Sequence, residues 1–273
     1  MRRGFTLIEI LVALGILAIL TLAFVRFFAG TLRASNDLQV KNELLNEAQV
    51  ALPLIASRVK EAWYIFPPGQ VIRLASSGWS TRNTVDGGYD WTVGNHFLAM
   101  ILPPERDDLN CQSTGPDKNL GCFRFFAYYP MQRQAYVSNA SALESLDPDP
   151  QNDAKVWVLM EYRAYYRPGS NCPVKADGTP DPTNLAYRSR RGRLLLDYVQ
   201  PPGDPWDASY DYSALFSFTN VGGVVKGVRI NLRLAKRARG RVYRAPGGTA
   251  PLTLSATAEN VGVRARTDGP YCR

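Results

Sequence analysis

The chain has 273 residues, 45% of them hydrophobic and 21% charged, and carries a formal net charge of +8 at pH 7. A mean hydropathy of −0.20 excludes a protein immersed in the bilayer throughout and leaves membrane character to the front end alone. Beyond that front end there is length for a basic globular body of about 200 residues with its own core.

The first element is the run from Phe5 to Val25, in which Glu9 is the only charge. A helix needs about 20 apolar residues to cross the hydrocarbon core, so this run can span a bilayer. Glu9 is the anomaly. An acidic group deep in a membrane helix costs on the order of 2.5–3.5 kcal/mol on insertion scales, and a plain single-pass anchor gains nothing from it. A cleaved secretory signal has a basic start, a short apolar core and a small-residue cut after that core. Here the core is too long, and the chain continues into "RFFAGTLRASNDLQV" with no Ala-x-Ala-type site.

Arg2, Arg3, Gly4, Phe5, Thr6, Leu7, Ile8 and Glu9 follow one another in an order that resembles the class III leader of type IV pilins and pseudopilins. The resemblance implies that a prepilin peptidase cuts after Gly4 and methylates the new amino terminus of Phe5. It also implies that Glu9 pairs with the terminal ammonium of a neighbouring subunit as helices stack into a filament. A buried charge is tolerable when paired and drives the search for a partner when not. The implied partners are other minor and major pilins, the peptidase and an inner-membrane assembly platform. The implied location is a single pass of the inner membrane with the globular domain in the periplasm, then a filament tip, periplasmic or at the cell surface. Flanking charge does not decide orientation by itself, because Arg2 and Arg3 face Arg26 and Arg33 across the run.

A helical period persists past the apolar run. Leu38, Leu44, Leu45, Ala48, Ala51, Leu52, Ile55, Val59, Ala62 and Trp63 recur at three- and four-residue steps, with Lys41, Glu43, Glu47, Arg58, Lys60 and Glu61 between them. One amphipathic helix therefore extends the apolar one. Asn36 and Asp37 soften the junction, Pro53 is expected to kink the helix by removing an amide donor, and "IFPPGQ" ends it. From residue 70 the period becomes two. The clearest strands are "HFLAMIL", "FRFFAYY", "KVWVLMEYRAYY", "GRLLLDYV", "ALFSFT", "VVKGVRINLRLA" and "LTLSATAENVGVR". The expected fold class is α+β, a long N-terminal helix packed on an antiparallel β-sheet body. The divisions are a leader over 1–4, a membrane and filament-core helix over 5–25, an amphipathic helix over 26–66 and a β-rich body over 67–273.

Four cysteines, Cys111, Cys122, Cys172 and Cys272, lie in loop-like surroundings beyond the anchor. None forms a C-x-x-C pair, which argues against zinc and suits two disulfides in an oxidising compartment. Three pairings are open. Cys111 with Cys122, closing a short loop, and Cys172 with Cys272, tying down the last residues, are favoured over four reduced thiols.

Catalysis has little support. His96 is the only histidine, and there is no G-x-S-x-G, no Walker loop and no dinucleotide fingerprint. Acid pairs at Asp107 and Asp108, at Asp147 and Asp149, and at Asp177 and Asp181 raise calcium. The first two pairs lie in Pro-rich loops without the glycine and terminal glutamate of an EF-hand loop, and all three read better as solvated turns, so no cofactor or metal is expected. Arginines cluster at Arg188, Arg190, Arg191 and Arg193 and again at Arg229, Arg233, Lys236, Arg237, Arg239, Arg241 and Arg244. Such a face attracts phosphate. DNA contact through Arg188, Arg190, Arg191, Arg237, Arg239 and Arg241 is one reading, and a solvated basic surface is the other.

In its second half the chain is similar to the larger minor pilins of the PilW type and secretion pseudopilins of the GspJ type. That likeness rests on the order of "LPLIASRVKEAWY", "YRSRRGRLLLDYV" and the paired "VKGVRINLRLA" and "LSATAENVGVR". It implies a scarce subunit near a filament tip that helps to start assembly, in a pilus, a type II secretion pseudopilus or a competence filament. Bulk agrees, since a body this large crowds the tight repeat of a shaft. Gly4→Glu is expected to block leader removal, giving a slower-migrating band on gels than the wild-type chain; unchanged mobility contradicts the class III reading.

Overall fold

The computed structural model describes residues 7–106, 108–112, 114–141, 144–166, 173–184, 187–188 and 190–263. Helix α1 runs from Leu7 to Glu61. The chain divides into two compact units, Met1–Glu43 and Leu44–Arg273. In the first, the described residues are helical and the apolar side chains from Leu7 to Leu38 are exposed. In the second, α1 buries Leu44, Ala48, Ala51, Leu52, Ile55, Ala56 and Val59, the stripe that steps of three and four residues place on one face.

The helix is continuous through Asn36 and Asp37 and on both sides of Pro53. Pro53 is exposed, so the carbonyl that loses its amide partner can turn to solvent. The helix stops at Glu61 rather than running to residue 66. The aromatic and β-branched residues after it favour extended backbone: Tyr64–Ile65 forms strand β1, and Pro67 and Pro68 follow.

The main sheet has seven antiparallel strands in the order β1, β4 (Leu98–Leu102), β5 (Arg124–Gln132), β6 (Trp157–Tyr165), β7 (Gly192–Val199), β10 (Leu234–Ala238) and β11 (Arg241–Ala245). Both faces of its centre are covered. On one, Ala99, Ile101, Phe125, Ala127, Tyr129, Val158, Met160 and Tyr162 join Trp63, Phe66, Trp91 and Tyr136 in an aromatic-rich core. Phe125 and Tyr187 stack there with ring centroids 4.0 Å apart. The period of two puts Leu98, Met100, Phe126 and Tyr128 on the opposite face. That face meets α1, where the Arg58 guanidinium lies 5.1 Å from the Phe126 ring centre. A hairpin of β2 (Val71–Arg73) with β3 (Asp90–Thr92) and the short helix α2 (Arg133–Asn139) contribute Ile72, Trp91 and Tyr136 to the aromatic core.

A second sheet, in the order β12 (Leu252–Thr257), β9 (Val224–Leu232) and β8 (Phe216–Val221), pairs the two late segments that the sequence groups together, Leu252 opposite Leu232 and Thr257 opposite Gly227. The stretch "VVKGVRINLRLA", expected as one strand, breaks at Arg233. Arg233 is fully buried and donates to the carbonyls of Tyr210 and Gly248, and the chain passes there from the smaller sheet to the larger. The β10–β11 hairpin then turns through Arg239 and Gly240, both at positive φ. Glycine takes that conformation freely, and arginine at a cost.

The end of α1 is closed by the far end of the chain. The Lys60 carbonyl accepts the Glu259 amide at 3.0 Å, the Glu61 carbonyl accepts the Asn260 side-chain amide at 3.0 Å, and the Trp63 indole donates to the Val263 carbonyl at 2.6 Å. Orphan carbonyls at a helix end need such partners. Ile55 is fully buried, so Ile55→Ala is expected to destabilise the body by about 2–5 kcal/mol, read from urea unfolding of the full chain in detergent; a loss under about 0.5 kcal/mol contradicts the packing described.

Candidate functional site

The first turns of α1 hold Glu9, where the positive end of the helix dipole favours a carboxylate. Gly4 and Phe5 lie outside the described residues. From Leu7 to Leu32 the large apolar side chains are exposed, Leu7 at 80% and Phe27 at 68%. The helix is long and apolar enough to cross a membrane. Its few hydroxyls are satisfied internally, since Thr21 donates to the Leu17 carbonyl at 2.8 Å and Thr31 to the Phe27 carbonyl at 3.0 Å. Among the described residues from Leu7 to Leu32, what this surface offers is apolar area and one carboxylate, Glu9.

In the body, charge is spent on joining elements. Arg124, itself buried, pairs with Glu61 of α1 at 3.3 Å and with Glu105 at 2.8 Å, while Arg58 reaches Glu61 at 3.2 Å and Arg163 reaches Glu105 at 3.5 Å. Burial pulls the Arg124 guanidinium below its usual range, and the two glutamates oppose that shift. Arg133, 2% exposed, forms a second junction with Asp197 at 2.9 Å, with Asp153 and with the Asp147 carbonyl at 3.1 Å. Burial works against its charge, and the pairing with Asp197 and Asp153 more than restores it. Both are networks whose separation leaves a buried charge without a partner, the costly case for ion pairs.

The acid pairs considered for calcium occupy these structural roles. Asp149 accepts the Asn152 amide at 2.8 Å and the Tyr198 hydroxyl at 3.0 Å. Asp108 is held by Arg106, Asp177 caps the Thr179 amide at 3.0 Å and Asp181 the Thr183 amide at 3.1 Å; Asp107 lies outside the described residues. Among the described residues no group of three or more His, Cys, Asp and Glu side chains comes together to hold a metal. His96 is half-buried edge-on against Trp157, and burial lowers its pKa.

The arginine runs do not act alike. Arg233 is internal, and Arg244 pairs with Asp204 at 2.8 Å and stacks on Tyr210 at 4.0 Å. Arg188 donates to the Arg73 carbonyl at 3.1 Å. Arg190, Arg191, Arg193 and Arg229 are exposed, as are Arg237, Arg239 and Arg241 around the β10–β11 turn. Sequence reasoning overlooked α2, β11 and the closure of α1 by Asn260; an Arg-Gly pair between two short runs was the only signal for the hairpin.

Cys111 and Cys122 are joined by a disulfide across a separation of 11 residues. Cys172 and Cys272 lie outside the described residues. Replacing both Cys111 and Cys122 by serine is expected to lower stability by about 3 kcal/mol, the loop-closure value for a link of this size; an unchanged urea midpoint under non-reducing conditions contradicts a structural role for the bond.

Residues 1–25 match the family model for the prokaryotic N-terminal methylation motif. Over 103 residues, 38% of this chain, the sequence is 34% identical to the pilin-like protein PilA3 of Thermus thermophilus. The matched region spans only about a third of that relative's length, 34%. No solved structure matches the chain.

Proposed function

We propose that this type IV pilin-like protein, so identified by its methylation motif and its likeness to a pilin-like relative, is a minor pilin: a structural subunit that sits near a filament tip and helps to initiate assembly. The observation that carries the reading is the exposed apolar half of α1 with Glu9 in its first turn, inside the motif. Such a surface gains from burial among lipid tails or among like helices. Membrane anchoring comes first, with the body in the periplasm, and the same helix then enters a filament of other minor and major pilins after the peptidase has acted.

The tip position is supported by bulk. The body carries a seven-stranded, a three-stranded and a two-stranded sheet, a load that a cap accommodates more easily than a closely repeating shaft. Deleting the gene and counting surface filaments by electron microscopy tests the proposal. Loss of filaments, restored by the wild-type gene, is the expected result; normal piliation contradicts it and favours a minor pseudopilin of type II secretion or of DNA uptake.

One observation favours the DNA-uptake alternative, the exposure of Arg237, Arg239 and Arg241 at one hairpin end. On that reading, reversing all three charges to glutamate lowers retention of double-stranded DNA severalfold at low salt and flattens its salt dependence. Retention equal to wild type across the salt series removes DNA from the account.

A further inference from the structure

A small concavity on the body, apart from the assembly helix and the β10–β11 hairpin, joins features that the filament role does not use. The loop Ala75–Thr81 and the pair Arg190 and Arg191 enclose a pocket of about 230 Å³. Sites for drug-sized ligands run from about 300 Å³ upward, so this one suits a single compact group. Its lining includes Ser76, Ser77, Gly78 and Thr81 and no acidic side chain.

The walls are fixed from beneath. Ser80 Oγ accepts the Gly192 amide at 3.2 Å, the Ser80 carbonyl accepts the Tyr129 hydroxyl at 2.6 Å, and the Trp91 indole donates to the Thr81 carbonyl at 3.0 Å. The Arg190 amide donates to the Tyr162 hydroxyl at 2.9 Å. A Cβ at Gly192 would stand 2.0 Å from the Tyr129 hydroxyl, so only glycine lets loop and strand approach this closely. The pocket is thus built on the rigid aromatic core.

Two observations point to an occupant. Thr81 is 1% exposed and lines the pocket, yet its hydroxyl has no hydrogen-bond partner among the described residues. Native structures leave few buried polar groups unpaired, and each one asks for a reason. Arg190 and Arg191 are exposed, and neither guanidinium has a hydrogen-bond or ion-pair partner among the described residues. Guanidinium forks match tetrahedral oxyanions two bonds at a time, and serine and threonine hydroxyls add donors.

We infer that this pocket binds one phosphate-class oxyanion between the Arg190 and Arg191 guanidiniums and the Thr81 hydroxyl. The test is calorimetric titration of the full-length protein in detergent, at constant ionic strength in chloride, with inorganic phosphate and separately with dimethyl phosphate. Saturable binding is expected, weakened about tenfold or more in R190Q/R191Q. Thr81→Val is expected to weaken it as well while leaving the thermal midpoint unchanged or higher, because it removes a hydroxyl that the fold itself does not satisfy. Preference for inorganic phosphate marks a free ion or monoester as the source, and equal binding of the diester marks a phosphate within a polymer. Absence of saturable heat, or equal affinity in R190Q/R191Q, overturns the proposal. So does an arginine-dependent affinity indifferent to Thr81→Val, which reduces the effect to general charge attraction.

Discussion

The body depends on the burial of one stripe of α1, from Leu44 to Val59, against the face of the main sheet that carries Leu98, Met100, Phe126 and Tyr128. A helix of ordinary propensity is marginal alone and takes its stability from such a packed face. Once that face is fixed, the rest follows as a set of obligations. The helix must end where the sheet begins, so its last carbonyls need partners, and Glu259 and Asn260 supply them from the far end of the chain. The charged residues flanking the stripe must be neutralised, and Arg124 does this by joining Glu61 to Glu105. The other face of the sheet must be covered as well, which is the work of Trp91, Tyr136 and their aromatic neighbours.

The same helix is under the opposite constraint over its first half. Where Leu44 and its followers are buried by the chain's own sheet, the apolar residues from Leu7 to Leu32 are exposed. A soluble protein does not leave so long an apolar surface open. Membrane first and filament second, as proposed, is a sequence of environments that suits such a surface. Glu9 is the one element that lipid alone does not reward.

Much of this was legible in the sequence. The membrane run and the shift from a period near 3.6 to a period of two were visible because each depends on local apolar spacing, whereas the pairing of the late strands around Ile230 and Leu254 came only with the family resemblance. Elements set by distant contacts were not. The helix stops at Glu61, where Tyr64 and Ile65 pair with Ile101 and Met100; local propensity allows extended backbone there, but the distant strand sets the exact residue. The break at Arg233 depends on carbonyls of Tyr210 and Gly248. The arginine runs looked like one face, but burial of Arg233 and the stacking of Arg244 on Tyr210 take members out of it. Composition counts charges and does not say which are already paired.

The central claim is that Glu9 serves assembly rather than anchoring. The most direct measurement compares Glu9→Leu with wild type in two fractions of the same cells, inner membrane and sheared filaments, by quantitative immunoblotting. The account predicts normal amounts of the variant in the membrane and little or none in filaments. Normal recovery of Glu9→Leu in sheared filaments would contradict it.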